Sequence, residues 1–284
     1  MSSLTFSERL RRRNRLWWDA GQKLPRVSLH RFLDRVQLRS RHTPVEDWHC
    51  CGHWQRCLLN KWNSREFAAL HGVTVPELYW HGRDAAQVPA EDLPEHFVIR
   101  PAWGERTKGT WVVSGNTDLV SGRSFANRAE LKAAVIAGRG RFGLFPLLAE
   151  EFMTTPEGKH EAGLEYKFHM FGGHAGPIMT FARRGETKWL RHYTPEWDLI
   201  DEVFHTSCPL DEIAVKPEQL DEMNSIATRL GAAFGTFVRV DLYLTSSGIF
   251  FGEYSSVPGG YKDYTPFADD YLGRLWEKHI PGEV

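Results

Sequence analysis

Towards the end of this 284-residue chain, Arg239, Asp241 and Tyr243 alternate with Val238, Val240, Leu242 and Leu244. Such alternation predicts a strand with one polar and one apolar face. Ile249 to Tyr254 reads as its antiparallel partner. A three-residue loop, Ser246-Ser247-Gly248 with Gly248 in the left-handed position, would pair Thr245 with Ile249. The same register sets Asp241 opposite Glu253 and Arg239 opposite Ser255. Opposed carboxylates repel unless something positive sits between them. Their oxygens suit a divalent cation, so Asp241 and Glu253 are candidate metal ligands. An exposed sheet face on which Arg239 bridges the two carboxylates is the plainer alternative.

Three more segments carry charge in useful patterns. Phe97 to Pro101 reads as a buried strand ending in Arg100, and Trp111 to Val113 begins another. Between them, Gly104, Thr107, Lys108 and Gly109 make a flap whose amides and cations can close over phosphates. It is not a Walker loop, since no helix starts directly after a Gly-Lys-Thr/Ser sequence. Glu165, Lys167 and His169 alternate with apolar residues and share one strand face. Arg183, Arg184, Lys188 and Arg191, interleaved with aromatics, could be a nucleic-acid surface, but their place in the chain suggests a loop at a site mouth, for phosphate or an anionic acyl group.

Helices must position these strands. Asn60-Lys61 opens a helical stretch ending near His71-Gly72, with Gly72 as its C-terminal cap. Pro217 stands near the start of a second helix, whose Leu220, Met223, Ile226, Ala227 and Leu230 mark a core face. A third begins at a Ser28 cap, with Leu29, Phe32, Leu33 and Val36 on one side and Arg31, Arg35 and Arg39 on the other.

Composition is that of a water-soluble globular protein with one large or two moderate domains. No apolar run reaches the roughly 18 residues that cross a bilayer. The basic N-terminus lacks a secretory apolar block, so a cytoplasmic location is expected. Residues 1–42 carry ten arginines and one lysine against three carboxylates, a net +8, which leaves -9 on the rest. That arm either binds a polyanion or docks on the acidic remainder, and docking is the expectation. Cys50, Cys51 and Cys57 cluster with His49 and His53 but lack paired metal-site spacing. An aromatic-rich helix start accounts for them equally well.

In their order along residues 61–260 these motifs resemble the ATP-grasp ligases, most closely the teichuronopeptide-biosynthesis (TupA-like) branch. The family signature is Arg-x-Asp followed by Glu-x-Asn and a Pro-Gly turn. Here Arg239-x-Asp241 leads to Glu253-x-Ser255 and Pro258-Gly259. The resemblance implies Mg²⁺ on Asp241, Glu253 and Ser255, with ATP as co-substrate. It implies phosphate contacts from Lys61 and from Arg100 and the flap, namely Gly104, Thr107, Lys108 and Gly109. Leu147 to Met153 resembles the interlobe hinge, where Glu150, Glu151, Phe152 and Met153 would meet adenine. Glu165 matches the ribose carboxylate, with Lys167 beside it towards the phosphates. Arg239 and Lys167 would be catalytic.

The implied fold is α+β, two ATP-grasp lobes with antiparallel sheets behind a short basic helical region. Its expected limits are 1–60 for the basic region, 61–148 for the small lobe with the flap, and 149–284 for the large lobe. The implied activity is ligation of a small-molecule or glycan-linked carboxylate to an amine through an acyl phosphate, in glycan or small-molecule biosynthesis. A kinase on the same scaffold and a non-catalytic polyanion-binding protein on a decayed fold are the alternatives. No nucleic acid is expected as a partner.

Overall fold

The Asn60 side chain accepts a hydrogen bond from the Trp62 amide at 2.9 Å and starts helix α1, Lys61–Leu70. Gly72, at φ +69°, turns the chain out of it. This computed structural model describes residues 31–33, 54–103, 109–139, 146–184, 187–256 and 263–281. Among them lie four α-helices and two six-stranded antiparallel sheets.

The first sheet contains β1 (Leu78–Gly82), β2 (His96–Pro101), β3 (Trp111–Ser114), β4 (Thr117–Asp118), β5 (Arg123–Ser124) and β6 (Leu147–Glu151). Its order is β1-β6-β2-β3-β4-β5. Alternation on β2 and β6 puts Phe97, Ile99, Leu147 and Ala149 on one face. Helix α2, Arg128–Gly138, covers them with Leu131 and Val135. The opposite face carries Arg100, Leu148 and Glu150, which the pairing of Arg100 with Leu148 and of Val98 with Glu150 sets side by side.

The second sheet contains β7 (Glu165–Phe171), β8 (His174–Arg184), β9 (Thr187–Tyr193), β10 (Leu199–Ile200), β11 (Phe237–Thr245) and β12 (Gly248–Ser255). It runs β10-β9-β8-β7-β11-β12. Helix α3, Leu220–Phe234, buries the five residues read as its core face, plus Phe234, against Phe168, Met170, Val238, Val240 and Leu242. The helix itself starts three residues after Pro217. Helix α4, Pro266–His279, closes one end of the other sheet face. There Leu272 and Trp276 join Phe171, Phe204, Phe237 and Phe32 in a separate aromatic core. Each fully buried side chain of this size stabilises the fold by about 1.5–3 kcal/mol.

Three local expectations meet a different outcome. Helix α1 packs through Ala68 on the core of the second sheet, not the first. A boundary after residue 148 passes through β6, which belongs whole to the first sheet. In the β11–β12 hairpin Thr245 pairs with Gly248, not Ile249, and Gly248 takes φ +117°. A bulge then restores the register: Leu242 pairs with Phe251 and Asp241 with Glu253, so Gly252 stands unmatched. The loop and the bulge each shift the pairing by one residue, in opposite senses, and the two offsets cancel at the carboxylates.

Of the basic arm, residues 31–33 are described. Arg31 lies 3.4 Å from Asp269, and the Leu33 amide donates to the same carboxylate at 2.7 Å. Those contacts are of the docked kind. Ser28, Arg35, Arg39, His49, Cys50, Cys51 and His53 lie outside the described residues. Cys57 is a free thiol, and no group of three metal-ligating side chains is found among the described residues.

Candidate functional site

Cross-strand pairing assembles the site on one face of the second sheet. Glu253, Asp241, Lys167, Met179 and His192 form one row across β12, β11, β7, β8 and β9. Ser255, Arg239 and His169 form the neighbouring row. Tyr243, Glu165 and Phe181 form the row on the other side. Side chains of directly paired residues leave a sheet on the same face.

Asp241 is the hub, 1% exposed. The Arg239 guanidinium donates to both its oxygens, Nε to Oδ1 at 2.6 Å and Nη2 to Oδ2 at 2.7 Å. Lys167 Nζ donates to Oδ2 at 2.6 Å and also pairs with Glu165. The opposed carboxylates are thus relieved by buried Lys167 and half-buried Arg239, both already in the chain. Burial pushes the Asp241 carboxyl up, but Arg239 and Lys167 outweigh it and hold it below the usual aspartate range. Burial likewise works against charge on Lys167, and Asp241 with Glu165 overcomes it, so the ammonium titrates above the ordinary lysine value.

Lys61 and the first sheet complete the cluster. Lys61 Nζ lies 3.7 Å from Glu253, and its amide donates to the Ala102 carbonyl just past β2, at 2.8 Å. Burial lowers its pKa, opposed by Glu253. Arg100 forms an ion pair with buried Glu150; burial works against its charge, and Glu150 with Glu253 overcomes it and raises its pKa. Arg239 reaches 3.9 Å from Glu253. Four cations, Lys61, Arg100, Lys167 and Arg239, therefore face four carboxylates, Glu150, Glu165, Asp241 and Glu253, supplied by both sheets and by α1.

Other candidate residues divide. On β6, Glu150 faces Arg100, whereas Glu151 accepts from the Glu77 amide at 3.0 Å. Phe152 is buried beside His160, whose Nδ1 lies 2.8 Å from the Phe152 carbonyl oxygen, and Met153 follows it. Strands β2 and β3 pair as read, and Gly109 takes φ +71°. Gly104, Thr107 and Lys108 lie outside the described residues, as do Pro258 and Gly259. Arg183 and Lys188 pair with each other on the site face, four residues beyond the Met179–His192 pair. Arg184 and Arg191 lie on the opposite face, where Asp211 holds them at 2.6 Å through its carboxylate and carbonyl respectively. The structure does not bring those two to the site.

Sequence reading placed His169 on the site face without a role and passed over His205 and Gly252. Alternation along β7 marks His169. Nothing in the sequence near His205 or Gly252 marks either one, because one is set by tertiary packing and the other by a bulge.

The donor set fits a hard divalent cation. Glu253 is 38% exposed, with both cations beyond hydrogen-bond distance, and Asp241 offers two more oxygens by exchange of partners. Ser255, opposite Arg239, is partly exposed.

A family model described as TupA-like ATP-grasp matches residues 73–276. Solved structures share the fold. VanG D-Ala:D-Ser ligase from Enterococcus faecalis superposes with TM-score 0.52 at 18% identity, covering 82% of this chain and 64% of that one. The D-alanine–D-alanine ligase of Bacillus anthracis, complexed with ATP, gives 0.50 at 16%, covering 78% and 63%. N5-carboxyaminoimidazole synthetase from Staphylococcus aureus, complexed with ADP, gives 0.50 at 11%, covering 81% and 53%. The chain thus spans less than two thirds of the length of these structures. A search of curated proteins found no match.

Proposed function

This chain belongs to the TupA-like ATP-grasp family, and from that premise we propose that it is an ATP- and Mg²⁺-dependent carboxylate–amine ligase. The observation that carries the reading is the balanced cluster of four cations and four carboxylates drawn from both sheets and α1. A decayed fold would have no reason to keep three buried charges, Glu150, Lys167 and Asp241, among half-buried ones of opposite sign, since each buried ion is costly unless paired. Among the neighbours are a D-alanine–D-alanine ligase complexed with ATP and a D-Ala:D-Ser ligase, which agrees with it.

In this reading a carboxylate oxygen attacks the γ-phosphorus of ATP, giving an acyl phosphate and ADP. An amine then adds to the acyl carbon, the C–O bond to phosphate breaks, and the amine gives up its proton as the amide forms. Lys61, Arg100 and Lys167 bind phosphate oxygens, with the flap residues Gly104, Thr107, Lys108 and Gly109 over them. Glu150, Glu151, Phe152 and Met153 line the adenine site, and Glu165 takes the ribose hydroxyls. Arg239 stabilises charge on the acyl phosphate and on the tetrahedral oxyanion. Asp241, Glu253 and Ser255 would hold Mg²⁺, which supplies charge neutralisation on the transferring phosphoryl group. Arg183 and Lys188 extend the same face towards an anionic substrate. The lobes are taken as the two sheets with their covering helices.

The cations are all engaged by carboxylates, so nucleotide binding is an exchange of ion partners. Phosphates take the cations, and the carboxylates need another positive partner. The test is ADP release over a panel of acids, with hydroxylamine as the trapping amine. Acid-dependent hydroxamate is the expected product. Phosphorylation of an alcohol with no hydroxamate from any acid would replace the ligase reading with a kinase.

A further inference from the structure

His169 and His205 lie near Arg239, with His192 packed against both, and the chemistry so far gives them no task. His169 on β7 pairs directly with Arg239 on β11. His192 on β9 shares that face, with its ring 6.4 Å from His169, and His205 lies 5.6 Å beyond it. The Nε2 atoms of all three are buried and have no hydrogen-bond partner among the described residues. Buried polar atoms in native proteins are paired with few exceptions, so three in one cluster call for an explanation.

The tautomer of His169 follows from its other nitrogen. Nδ1 lies 3.0 Å from the Pro177 carbonyl oxygen. A carbonyl only accepts, so Nδ1 carries the proton and donates it. The imidazole is neutral, since burial first and then Arg239 lower its pKa to about 3. Its Nε2 is therefore a bare lone pair that can only accept. His205, lowered to about 4 by burial and Arg239, and His192, lowered well below its ordinary value by burial and the other two histidines, are neutral as well. Phe204 stacks on His192 at 4.0 Å and Tyr264 lies 4.5 Å from His205, which fixes both rings.

We propose that His169, His192 and His205 wall the acyl-substrate subsite beside Arg239, and that it takes a carboxylate bearing a hydroxyl or amino group next to its carboxyl. The inference rests on the ligase reading above. Arg239 meets the carboxylate, as its planar fork suits. A carboxylate or phosphate has no proton to give and cannot satisfy His169 Nε2. The donor must come from a second group on the same molecule. Metal ligation is the other use of a bare imidazole nitrogen, and no three ligating side chains among the described residues are placed for it.

Propionate, lactate and alanine differ in that second group alone and separate the two donors. In the hydroxylamine assay the full chain should prefer lactate or alanine to propionate by about tenfold in kcat/KM, the effect of one or two buried hydrogen bonds. His169→Leu should bring that ratio close to one, and His169→Gln, which keeps an acceptor, should retain a preference. Side-chain ¹⁵N spectra of the wild-type protein give a reading that needs neither turnover nor a variant. His169 should show a protonated Nδ1 and a free Nε2, and lactate or alanine should move the Nε2 resonance while propionate does not. Equal responses to all three acids, or a preference that survives His169→Leu, would overturn the subsite, leaving ordered water as the partner of these atoms. Failure of every acid to give hydroxamate would instead overturn the ligase reading, and the ¹⁵N shifts would still decide the subsite.

Discussion

Asp241 shows how one side chain changes meaning once its neighbours are known. From the sequence, its opposition to Glu253 suggests repulsion that a metal would relieve, so that removing a carboxylate would leave the metal-free fold intact or firmer. The structure reverses the sign, because Asp241 compensates Arg239 and Lys167 in a buried setting. Removing one partner of a buried pair typically costs about 3–5 kcal/mol, since the other charges are left uncompensated. Asp241→Asn should therefore lower the urea midpoint of the metal-free protein clearly, in addition to abolishing ATP turnover. Glu253→Gln should abolish turnover with little loss of stability, because Glu253 is more exposed and its ion pairs are long. Equal midpoints for Asp241→Asn and the wild type would sink this account of the hub.

At the scale of the element, the β11–β12 hairpin holds the carboxylates in line through Gly252. A Cβ there would lie 2.6 Å from Tyr243 Cε2 and 3.1 Å from the Asp241 carbonyl oxygen. The ring could swing away, but the backbone oxygen lies in the strand that carries the site. Gly252→Ala should thus cost about 1–3 kcal/mol by overpacking and move Glu253 relative to Asp241. Thermal melts and Mg²⁺-dependent ATP turnover should both fall. Adding Tyr243→Ala should return part of the stability without restoring turnover. An unchanged melting temperature for Gly252→Ala alone would mean that the bulge adapts freely and does not set the register.

At the scale of the whole molecule, buried ionisation links the fold to pH and to ligands. His169 and His205 titrate near 3 and 4 when folded, and His192 lies well below its ordinary value of 6.5. Below pH 6.5 the unfolded chain binds protons that the folded one refuses. Stability is fully present above that pH and falls as pH drops towards 4, by about 1.4 kcal/mol per pH unit for each histidine. Urea midpoints between pH 7.5 and 4.5 should fall steeply, and His169→Gln should flatten the slope. A midpoint independent of pH over that range would contradict the buried neutral state. The proposed ion-partner exchange would link nucleotide to metal in the same way. Chelating Mg²⁺ should weaken ATP binding at least about tenfold by calorimetry, and ATP should tighten Mg²⁺ binding by the same factor. Equal ATP affinity with and without Mg²⁺ would show that the carboxylates do not compete with phosphate for Lys61, Arg100 and Lys167.

Alternation of side chains, helix caps and glycine positions follow from local backbone geometry, and the sequence alone therefore determined most of the elements. It determined the strand of Arg239 and Asp241, the capped helix at Lys61, the core face of α3 and the β2–β3 pairing, together with the resemblance that the family match later confirmed. Local pattern has no knowledge of distance across the fold. Tertiary structure alone decided that Lys167, 74 positions before Asp241, would donate to its carboxylate. It turned Arg184 and Arg191 towards Asp211, packed α1 on the second sheet, and gathered His169 and His205 near Arg239 with His192 against both. The hairpin joins the two cases. Its pairing of Asp241 with Glu253 was read correctly through a wrong loop, because strand period fixes which face a residue takes, while only the packing of Tyr243 over Gly252 fixes where the extra residue goes.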